Sequence, residues 1–257
     1  MATTVFDITG RLALVTGSSR GLGNALAVGL AEAGARVVLH GRDAQVLARA
    51  AETITRAPGT APAGTVTFDV TDHAAVRDGV AALVAEHGVP DILVNNAGIQ
   101  RRAPFNDFDV KDWDDIVAAN LSSAFYVSQQ VTRGMTERGS GKVINIGSVQ
   151  SMLARQTIAP YSATKGGLVM LTKGMAADLA RFNIQVNAIS PGYFATEMNR
   201  ALVEDEAFNA WVVNRTPAQR WGRFEELVGT LVYLASDASS FVSGQNIFVD
   251  GGMTSVV

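Results

Sequence analysis

Tyr161 and Lys165 lie four positions apart in the stretch PYSATKGG (160–167), which is otherwise built of small residues after its proline. On a helix, positions i and i+4 are stacked neighbours, so both side chains can reach the same ligand. A free phenol with a pKa of about 10 is a poor base at neutral pH, and a nearby positive charge favours its ionised form. We therefore expect Lys165 to lower the pKa of Tyr161, which would act as a general acid or base. For an isolated Y-x-x-x-K pattern, a core aromatic beside a solvated lysine is the more common explanation.

Two further polar residues stand at positions where chemistry is plausible. Ser148 comes just after the apolar run KVINI (142–146), at the expected carboxyl edge of a sheet, where its hydroxyl can polarise a carbonyl. Asn120 falls inside a long helical pattern, although asparagine is a poor helix former and must find partners there. The alternative for Asn120 is an asparagine that only bends the helix.

The elements that must position these residues alternate along the chain. Short, nearly continuous apolar runs are typical of strands covered on both faces, and longer Ala/Leu-rich segments separate them. The alternation predicts an α/β fold with right-handed βαβ units and one parallel sheet with helices on both faces. The predicted strands are 11–17, 35–41, 65–70, 91–98, 142–148, 184–190 and 246–252. The predicted helices are 22–33, 43–56, 73–87, 109–137, 161–182 and 224–236.

No internal repeat or linker divides the chain, so residues 1–257 are predicted to form a single domain. The segment 193–222 interrupts the alternation with two short amphipathic pieces that carry Phe208, Trp211 and Trp221. Open α/β sheets place substrate contacts beyond the carboxyl ends of their strands, so we interpret this segment as a small helical lid over the substrate. A helical subdomain that only packs is the alternative.

Gly17, Gly21 and Gly23 join the first predicted strand to the first predicted helix in VTGSSRGLGNALAVGL. Glycine permits positive φ and removes the Cβ that would keep the backbone away from a pyrophosphate, which can bind at a helix N-terminus. The spacing G-x-x-x-G-x-G differs from the G-x-G-x-x-G of the common dinucleotide fingerprint. Its place between a strand and a helix favours a dinucleotide site over a simple chain reversal.

The end of the second predicted strand indicates which dinucleotide binds. An acidic residue about 20 positions past the glycines would hydrogen-bond the adenosine ribose, whereas an arginine suits a 2′-phosphate. The strand ends in VVLHGRD, with His40 where the acid is expected and Arg42 close behind, and Arg20 can approach the same ribose. Two guanidinium groups favour NADP(H) over NAD(H). Asp43 is more economically explained as the N-cap of the next helix.

The composition excludes several classes of function. Hydrophobic residues make up 47% of the chain and charged residues 18%, and the net charge of −3 with a pI near 5.6 gives no basic surface for nucleic acid or anionic lipid. The sequence has no signal peptide, no apolar stretch near the ~18 residues of a membrane span, and no cysteine. A cytoplasmic location is therefore the default expectation. The scattered His40, His73 and His87 are expected to face solvent, which argues against a metal site.

The motifs as a set resemble the short-chain dehydrogenase/reductase family, in order and across nearly the whole chain. They are TGSSRGLG (16–23), Asp69 and Val70, NNAG (95–98), Asn120, Ser148, YSATK (161–165) and PG (191–192). The resemblance implies a doubly wound, Rossmann-type sheet of about seven strands, a homotetramer, and a cofactor site. Its residues would be Gly17, Ser19, Arg20, Gly21, Leu22, Gly23, His40, Arg42, Asp69, Val70, Asn96, Ala97, Gly98, Tyr161, Lys165, Pro191, Gly192 and Thr196. Gly147 departs from the family pattern, in which a larger residue is usual.

The resemblance also implies a catalytic set of Asn120, Ser148, Tyr161 and Lys165. Reduction of a ketone by hydride transfer needs a positioned nicotinamide, a donor that polarises the carbonyl, and a proton for the alkoxide. Ser148 would be the donor, and Tyr161 the general acid in reduction and the base in oxidation. Lys165 would also reach the nicotinamide ribose, and the carbonyl of Asn120 with a water would link Lys165 to solvent.

Three arginines could bind a charged substrate together with Ser148 and Tyr161: Arg101, Arg102 and Arg155. Each can form a bidentate pair with a carboxylate, which a sugar acid has and a fatty-acyl thioester or steroid lacks. Exposure or a subunit contact would explain each arginine singly. We therefore predict hydride transfer between NADP(H) and a sugar-acid alcohol or ketone.

Other functions remain open on the sequence. The enzymatic alternatives are a reductase of 3-oxoacyl thioesters and a dehydrogenase of neutral polyols or sugars. The first would need a basic surface for an acidic carrier protein, which the acidic EDE (204–206) does not favour. The third alternative is a dinucleotide-sensing protein without activity, although the tyrosine and lysine that such a protein would lose are both present.

Overall fold

The computed structural model describes residues 4–57, 59–195 and 200–257, apart from the side chains of 200 and 201. Strands alternate with helices along these residues, as the sequence predicts. The strands are β1 (Leu12–Val15), β2 (Arg36–Gly41), β3 (Gly64–Thr67), β4 (Ile92–Asn95), β5 (Gly141–Ile146), β6 (Ile184–Pro191) and β7 (Asn246–Val249). The helices are α1 (Gly21–Glu32), α2 (Ala44–Thr55), α3 (His73–His87), α4 (Val110–Val117), α5 (Ser123–Arg138), α6 (Ala159–Leu179), α7 (Arg200–Glu204), α8 (Glu206–Arg215) and α9 (Glu225–Ala235).

The seven strands form one parallel sheet in the order β3-β2-β1-β4-β5-β6-β7. The order reverses between β1 and β4, where Leu14 pairs in register with Leu93. At such a switch point the loops after the two strands diverge and leave a crevice at the carboxyl edge. The predicted doubly wound, Rossmann-type sheet of seven strands is confirmed.

Apolar residues cover both faces of this sheet because helices pack on each. On one face Val15 belongs to a cluster with Leu30 of α1 and Leu231 of α9. On the other face Leu14 packs in a cluster with Val131 and other residues of α3 and α5. Adjacent strand residues thus enter opposite cores, which is why the strands appear in the sequence as continuous apolar runs.

Helix ends follow the capping residues of the sequence. The carboxylate of Asp43 accepts hydrogen bonds from the backbone N–H groups of Gln45 at 2.9 Å and Val46 at 3.1 Å, which confirms its predicted role as an N-cap. Helix α6 begins at Ala159 with Pro160 in its first turn, where proline is tolerated because the N–H group has no helical partner. Tyr161 is therefore fixed near the start of a long, well-defined helix.

The predicted helix 109–137 is interrupted by a wide turn. Helix α4 ends at Val117, a π-helical turn spans Ala118–Ser122, and α5 begins at Ser123. Asn120 lies in this turn, where its Oδ1 accepts a hydrogen bond from Ile99 N–H at 2.7 Å and its Nδ2 donates to Ile99 O at 3.0 Å. The local widening of the helix accompanies a side chain that satisfies the backbone of another segment.

The expectation that all three histidines face solvent is wrong for His40. His40 is 2% exposed and packs against Phe68 with ring centroids 4.1 Å apart. Its Nδ1 accepts from Gly17 N–H at 3.2 Å, so Nε2 donates to Phe68 O at 3.1 Å. Burial lowers the pKa of His40 to about 4, so the imidazole is neutral at physiological pH. His73 is exposed and His87 is partly buried.

The described part of the segment 193–222 contains helices α7 and α8. Tyr193 lies at its start and meets the rings of Phe208, Trp211 and Trp221 edge to face, with centroid distances of 5.8, 5.6 and 5.7 Å. A parallel bridge joins Phe194 to Gly222 at its base. Across 4–57, 59–195 and 200–257, no helix is both long enough and apolar enough to cross a bilayer.

Candidate active site

Tyr161 and Lys165 project from the start of α6 toward the carboxyl end of β5. The ammonium of Lys165 lies 5.6 Å from the ring centroid of Tyr161. Lys165 is only 6% exposed, and its Nζ donates a hydrogen bond to the carbonyl of Ile146 at 2.7 Å. Because Ile146 is the last residue of β5, this bond fixes the helix against the edge of the sheet.

Ser148 and Asn120 complete the group that the sequence indicated. Ser148 caps the short 3₁₀ turn 149–151: its Oγ accepts from Gln150 N–H at 3.2 Å, and the same hydroxyl hydrogen-bonds Tyr161. Asn120 Nδ2 lies 3.3 Å from the hydroxyl of Thr164, which is adjacent to Lys165. The fold therefore brings all four predicted catalytic side chains to one edge of the sheet.

The expectation that Lys165 lowers the pKa of Tyr161 is wrong in this structure. Burial raises the pKa of Tyr161, the hydrogen bond with Ser148 lowers it in part, and the neighbouring Tyr193 raises it further. Burial also lowers the pKa of Lys165 from 10.5 to about 8. Desolvation disfavours the charged form of each group. Tyr161 therefore holds its proton firmly at neutral pH.

The glycine turn has the shape that a dinucleotide requires. Gly17 and Gly21 have φ values of +64° and +60°. A Cβ on Gly23 would lie 2.4 Å from Gly17 O, whereas one on Gly21 would meet nothing within 4 Å. No described side chain caps the N-terminus of α1, whose N-cap residue is Arg20, so its first N–H groups face an open space that suits a pyrophosphate.

The NNAG segment is bound tightly to this turn. Thr16 Oγ1 accepts from the N–H groups of Asn96 at 3.0 Å and Ala97 at 3.1 Å. Asn96 Nδ2 donates to Gly17 O at 3.1 Å. Gly98 leaves the space that Asn120 fills, because a Cβ there would lie 2.9 Å from Asn120 Oδ1. These contacts form a rigid floor between the glycine turn and the catalytic group.

The adenosine side of the crevice carries exposed charge. Arg42 has a side chain that is 78% exposed and lies 4.0 Å from Asp69, and Arg20 is also exposed. Asp69 is held by Thr71, whose N–H and hydroxyl it accepts at 2.9 and 2.7 Å. Val70 is buried beside it. Both arginines are therefore placed to meet an anion, and buried His40 is not.

The remaining predicted cofactor residues lie in the glycine turn and after β6. Ser19 and Leu22 are partly buried in the turn. Pro191 ends β6, and Gly192 N–H donates to Val249 O at 3.0 Å. Thr196 lies outside the described residues.

Arg102 and Arg155 converge beside Tyr193. The guanidinium of Arg155 hydrogen-bonds the Tyr193 hydroxyl and lies 5.3 Å above the ring centroid of Phe208. Its Nε is buried without a hydrogen-bond partner. Burial lowers the pKa of Arg102, and the neighbouring Arg155 lowers it further. Arg101 instead pairs with Asp112 at 3.5 Å.

The exposed Arg102 and the partly buried Arg155 thus bring two like charges close together. Within the described ranges, neither Arg102 nor Arg155 forms an ion pair with a carboxylate. Two neighbouring guanidinium groups without a carboxylate partner are complementary to an anionic ligand. Tyr193 interacts electrostatically with Tyr161, which places the cluster beside the catalytic group.

Sequence reasoning missed Tyr193 as a site residue. Its signal was its position directly after the PG motif (191–192), where a strand ends at the crevice. No group of three or more His, Cys, Asp or Glu side chains in the described parts of the chain is placed to hold a metal ion.

Known proteins are similar to this chain over nearly its whole length. A family profile described as enoyl-(acyl carrier protein) reductase matches residues 17–254. The gluconate 5-dehydrogenase of Gluconobacter oxydans (strain 621H) is 56% identical, with 97% of each chain covered. The 5-keto-D-gluconate 5-reductase of Escherichia coli (strain K12) is 50% identical, again with 97% of each chain covered.

A solved structure agrees with the same family. The crystal structure of a gluconate 5-dehydrogenase from Burkholderia cenocepacia J2315, in complex with NADP and tartrate, superposes with a TM-score of 0.95. It is 55% identical, with 98% of each chain covered. The chain belongs to the short-chain dehydrogenase/reductase family, as its motifs suggested.

The buried lysine makes a prediction about stability. Because the pKa of Lys165 is about 8 in the folded protein and 10.5 when unperturbed, the unfolded chain binds more protons between these pH values. The free energy of unfolding then rises with pH through this window. Relative to Lys165→Met, we expect the wild type to gain about 2–3 kcal/mol between about pH 7 and about pH 10.

Urea denaturation of both proteins at several pH values measures this difference. Burial also lowers the pKa of Lys142 to about 8. Lys142 is present in both proteins, so its contribution to the pH dependence cancels in the difference between them. A difference that stays constant with pH would show that Lys165 is not desolvated.

Proposed function

We propose that this protein interconverts D-gluconate and 5-keto-D-gluconate by hydride transfer with NADP(H). The observation that carries the substrate class is the pair of neighbouring guanidinium groups, Arg102 and Arg155, beside Tyr161 and Tyr193. The relatives named gluconate 5-dehydrogenase and 5-keto-D-gluconate 5-reductase support the particular substrate.

The chain's own residues would prepare the carbonyl and the proton. The bound nicotinamide supplies the hydride. Ser148 donates a hydrogen bond to the substrate carbonyl, which develops negative charge in the transition state. Tyr161 delivers its proton to the new alkoxide, and its raised pKa keeps that proton available at neutral pH. In oxidation the phenolate accepts the proton, so the oxidative direction gains from alkaline conditions.

Lys165 and Asn120 would serve the proton supply. Lys165 is bound to Ile146 O at 2.7 Å, which leaves further N–H groups of its ammonium for the ribose and the phenol. Asn120 uses its side chain to hold the backbone of Ile99. We assign the main-chain carbonyl of Asn120 and a water as the link between Lys165 and solvent.

A carboxylated substrate resolves an electrostatic problem in the site. Burial and the neighbouring Arg155 lower the pKa of Arg102, and a carboxylate placed between the two guanidinium groups would form charge-assisted hydrogen bonds with both. A 3-oxoacyl thioester or a neutral polyol brings no such anion to this position. The structure therefore favours the sugar acid over these two alternatives.

The cofactor preference follows from the adenosine side. Arg42 and Arg20 are exposed there, and among the described residues the ion pair of Arg42 is with Asp69, at 4.0 Å, whose carboxylate is also bound to Thr71. A 2′-phosphate would find two guanidinium groups. The NADP complex of the Burkholderia cenocepacia enzyme supports the same preference.

The segment 193–222 would act as a lid, within a single catalytic domain spanning 1–257. Its aromatic residues pack on Tyr193, and Phe208 contacts Arg155. Helix α8 is thereby attached to the arginine cluster. A bound carboxylate would tighten this attachment, because it would fix Arg155.

We further propose a cytoplasmic homotetramer. Large apolar side chains remain on the surface, with Phe105 78%, Phe241 102% and Met170 63% exposed. Contacts between subunits would remove such side chains from water, which is favourable. A mass of four subunits by light scattering is the expected result, and a monomer at micromolar concentration would contradict it.

The substrate assignment is tested by following NADPH oxidation with three carbonyl compounds in parallel. We expect the highest kcat/KM with 5-keto-D-gluconate, and much lower values with an acetoacetyl thioester and with a neutral ketose. Arg155→Ala and Arg102→Ala should each raise KM for 5-keto-D-gluconate about 10- to 100-fold, the range expected for a lost charged hydrogen bond. Arg77→Ala, an exposed arginine on α3, is the control. Unchanged KM in both cluster variants would disprove the carboxylate site.

The cofactor preference is tested with Arg42→Ala. Loss of one guanidinium should raise KM for NADPH roughly tenfold and leave KM for NADH nearly unchanged, because only the former carries the 2′-phosphate. Steady-state kinetics with both cofactors measures this. An equal effect on NADPH and NADH would assign Arg42 to the shared part of the dinucleotide, contrary to the proposal.

A further inference from the structure

The backbone of Ser148 is enclosed in a ring of four hydrogen bonds. Ser148 N–H donates to Ser190 Oγ at 3.2 Å, and the Ser190 hydroxyl donates to Asn246 Oδ1 at 2.6 Å. Asn246 Nδ2 then donates to Ser151 Oγ at 3.3 Å, and the Ser151 hydroxyl donates to Ser148 O at 2.7 Å. The backbone N–H and C=O of Ser148 are thus both linked, through Ser190 and Ser151, to the side-chain amide of Asn246.

Hydrogen-bond donation runs in one direction around this ring, so only certain side chains can complete it. Each serine hydroxyl accepts one hydrogen bond and donates one, so the closing residue must accept at one atom and donate at another. A primary amide does this, and a carboxylate or an apolar side chain of the same size does not. Ser190 is fully buried and Ser148 is 9% exposed, so water is a poor substitute for these partners.

Gly147 makes the room for this ring. A Cβ at Gly147 would lie 2.4 Å from Ser190 Oγ. The glycine that departs from the family pattern therefore admits the hydroxyl that accepts from Ser148 N–H. Gly147 itself remains bound to the sheet, since its N–H donates to Ile189 O at 2.7 Å. The small residue does not loosen the strand end.

We propose that Asn246, through Ser190 and Ser151, is a positioning residue that fixes the catalytic Ser148 against Tyr161. Asn246 lies on β7, in register with Ala188 of β6, and its side chain hydrogen-bonds Ser190 and Ser151. It orients the backbone of Ser148, whose hydroxyl bonds Tyr161. The expected loss of activity rests on the proposed reaction, whereas the positioning of Ser148 rests on the fold alone.

The test begins with Asn246→Leu, which keeps the size of the side chain and removes the ring. We expect kcat for 5-keto-D-gluconate to fall roughly tenfold or more, because small displacements of catalytic groups have large effects on rate. The KM for NADPH should not change. Gln245→Ala, at an exposed residue directly before β7, is the control and should retain wild-type kcat.

A second measurement does not depend on turnover. The hydrogen bond with Ser148 lowers the pKa of Tyr161, so its loss should raise the pH at which Tyr161 ionises. Ultraviolet difference titration of each protein against the same protein carrying Tyr161→Phe isolates this tyrosine. Lys165 and Tyr193, the titratable groups facing Tyr161, are unchanged in every variant. A general loss of structure, seen by circular dichroism, would lower this pH instead because it exposes the phenol.

Gly147 and Ser190 provide a compensation test in case Asn246→Leu does not fold. Gly147→Ala should lower the urea concentration at the midpoint of unfolding, because the new methyl group collides with Ser190 Oγ. The double variant Gly147→Ala with Ser190→Ala removes that collision and should recover the midpoint of Ser190→Ala. Its kcat should stay low, because Ser148 N–H has lost its acceptor.

The outcomes separate the positioning role from the proposed substrate. A wild type that does not reduce 5-keto-D-gluconate contradicts the substrate, and the Tyr161 titration still tests the ring. A folded Asn246→Leu with wild-type kcat or unshifted Tyr161 ionisation overturns the positioning role. Recovery of full kcat in the double variant overturns it as well.

Discussion

The hydrogen bond from Lys165 Nζ to the carbonyl of Ile146 is the contact on which the geometry of the site depends. A buried ammonium is costly unless it is hydrogen-bonded, and this carbonyl is an acceptor at the end of β5. The bond sets where α6 begins relative to the sheet. Tyr161 is one helical turn away from Lys165, and Ser148 is two residues beyond Ile146, so one contact determines the positions of both.

A second set of buried polar groups holds the layers beneath the site. Asn95 Nδ2 donates to Ser128 Oγ and to Asn145 Oδ1, both at 2.8 Å. Asn145 Nδ2 donates to Thr172 Oγ1 at 2.8 Å. These bonds join β4, β5, α5 and α6, where apolar packing alone would permit small rotations. Such buried hydrogen bonds favour one arrangement, because a displaced member would leave its buried partner unpaired.

Charge is concentrated locally although the chain is acidic overall. The net charge is −3, yet arginines stand at both ends of the crevice, with Arg20 and Arg42 at one and Arg102 and Arg155 at the other. Between them the glycine turn offers backbone N–H groups, and His40 is neutral because burial lowers its pKa to about 4. A phosphorylated cofactor and a carboxylated substrate are thus attracted to opposite ends, with the reacting groups between them.

The sequence alone determined the fold and the identity of the four catalytic candidates. Strands such as 142–146 are recognisable as apolar runs because they are buried on both faces. The glycine turn and the Y-x-x-x-K pair are patterns of residues close together in the sequence, so they can be recognised without knowing the tertiary contacts. Asp43 was identified as a cap for the same reason.

What only the tertiary structure decided concerns groups far apart in the sequence. The burial of His40 depends on Phe68 and Gly17, the raised pKa of Tyr161 depends on its desolvation, and the ring around Ser148 depends on Asn246 of β7. Arg102 could not be separated from Arg101 until the fold placed it beside Arg155. Short-range patterns fix backbone conformation, whereas solvation and hydrogen-bond partners are set by whatever the folded chain brings near.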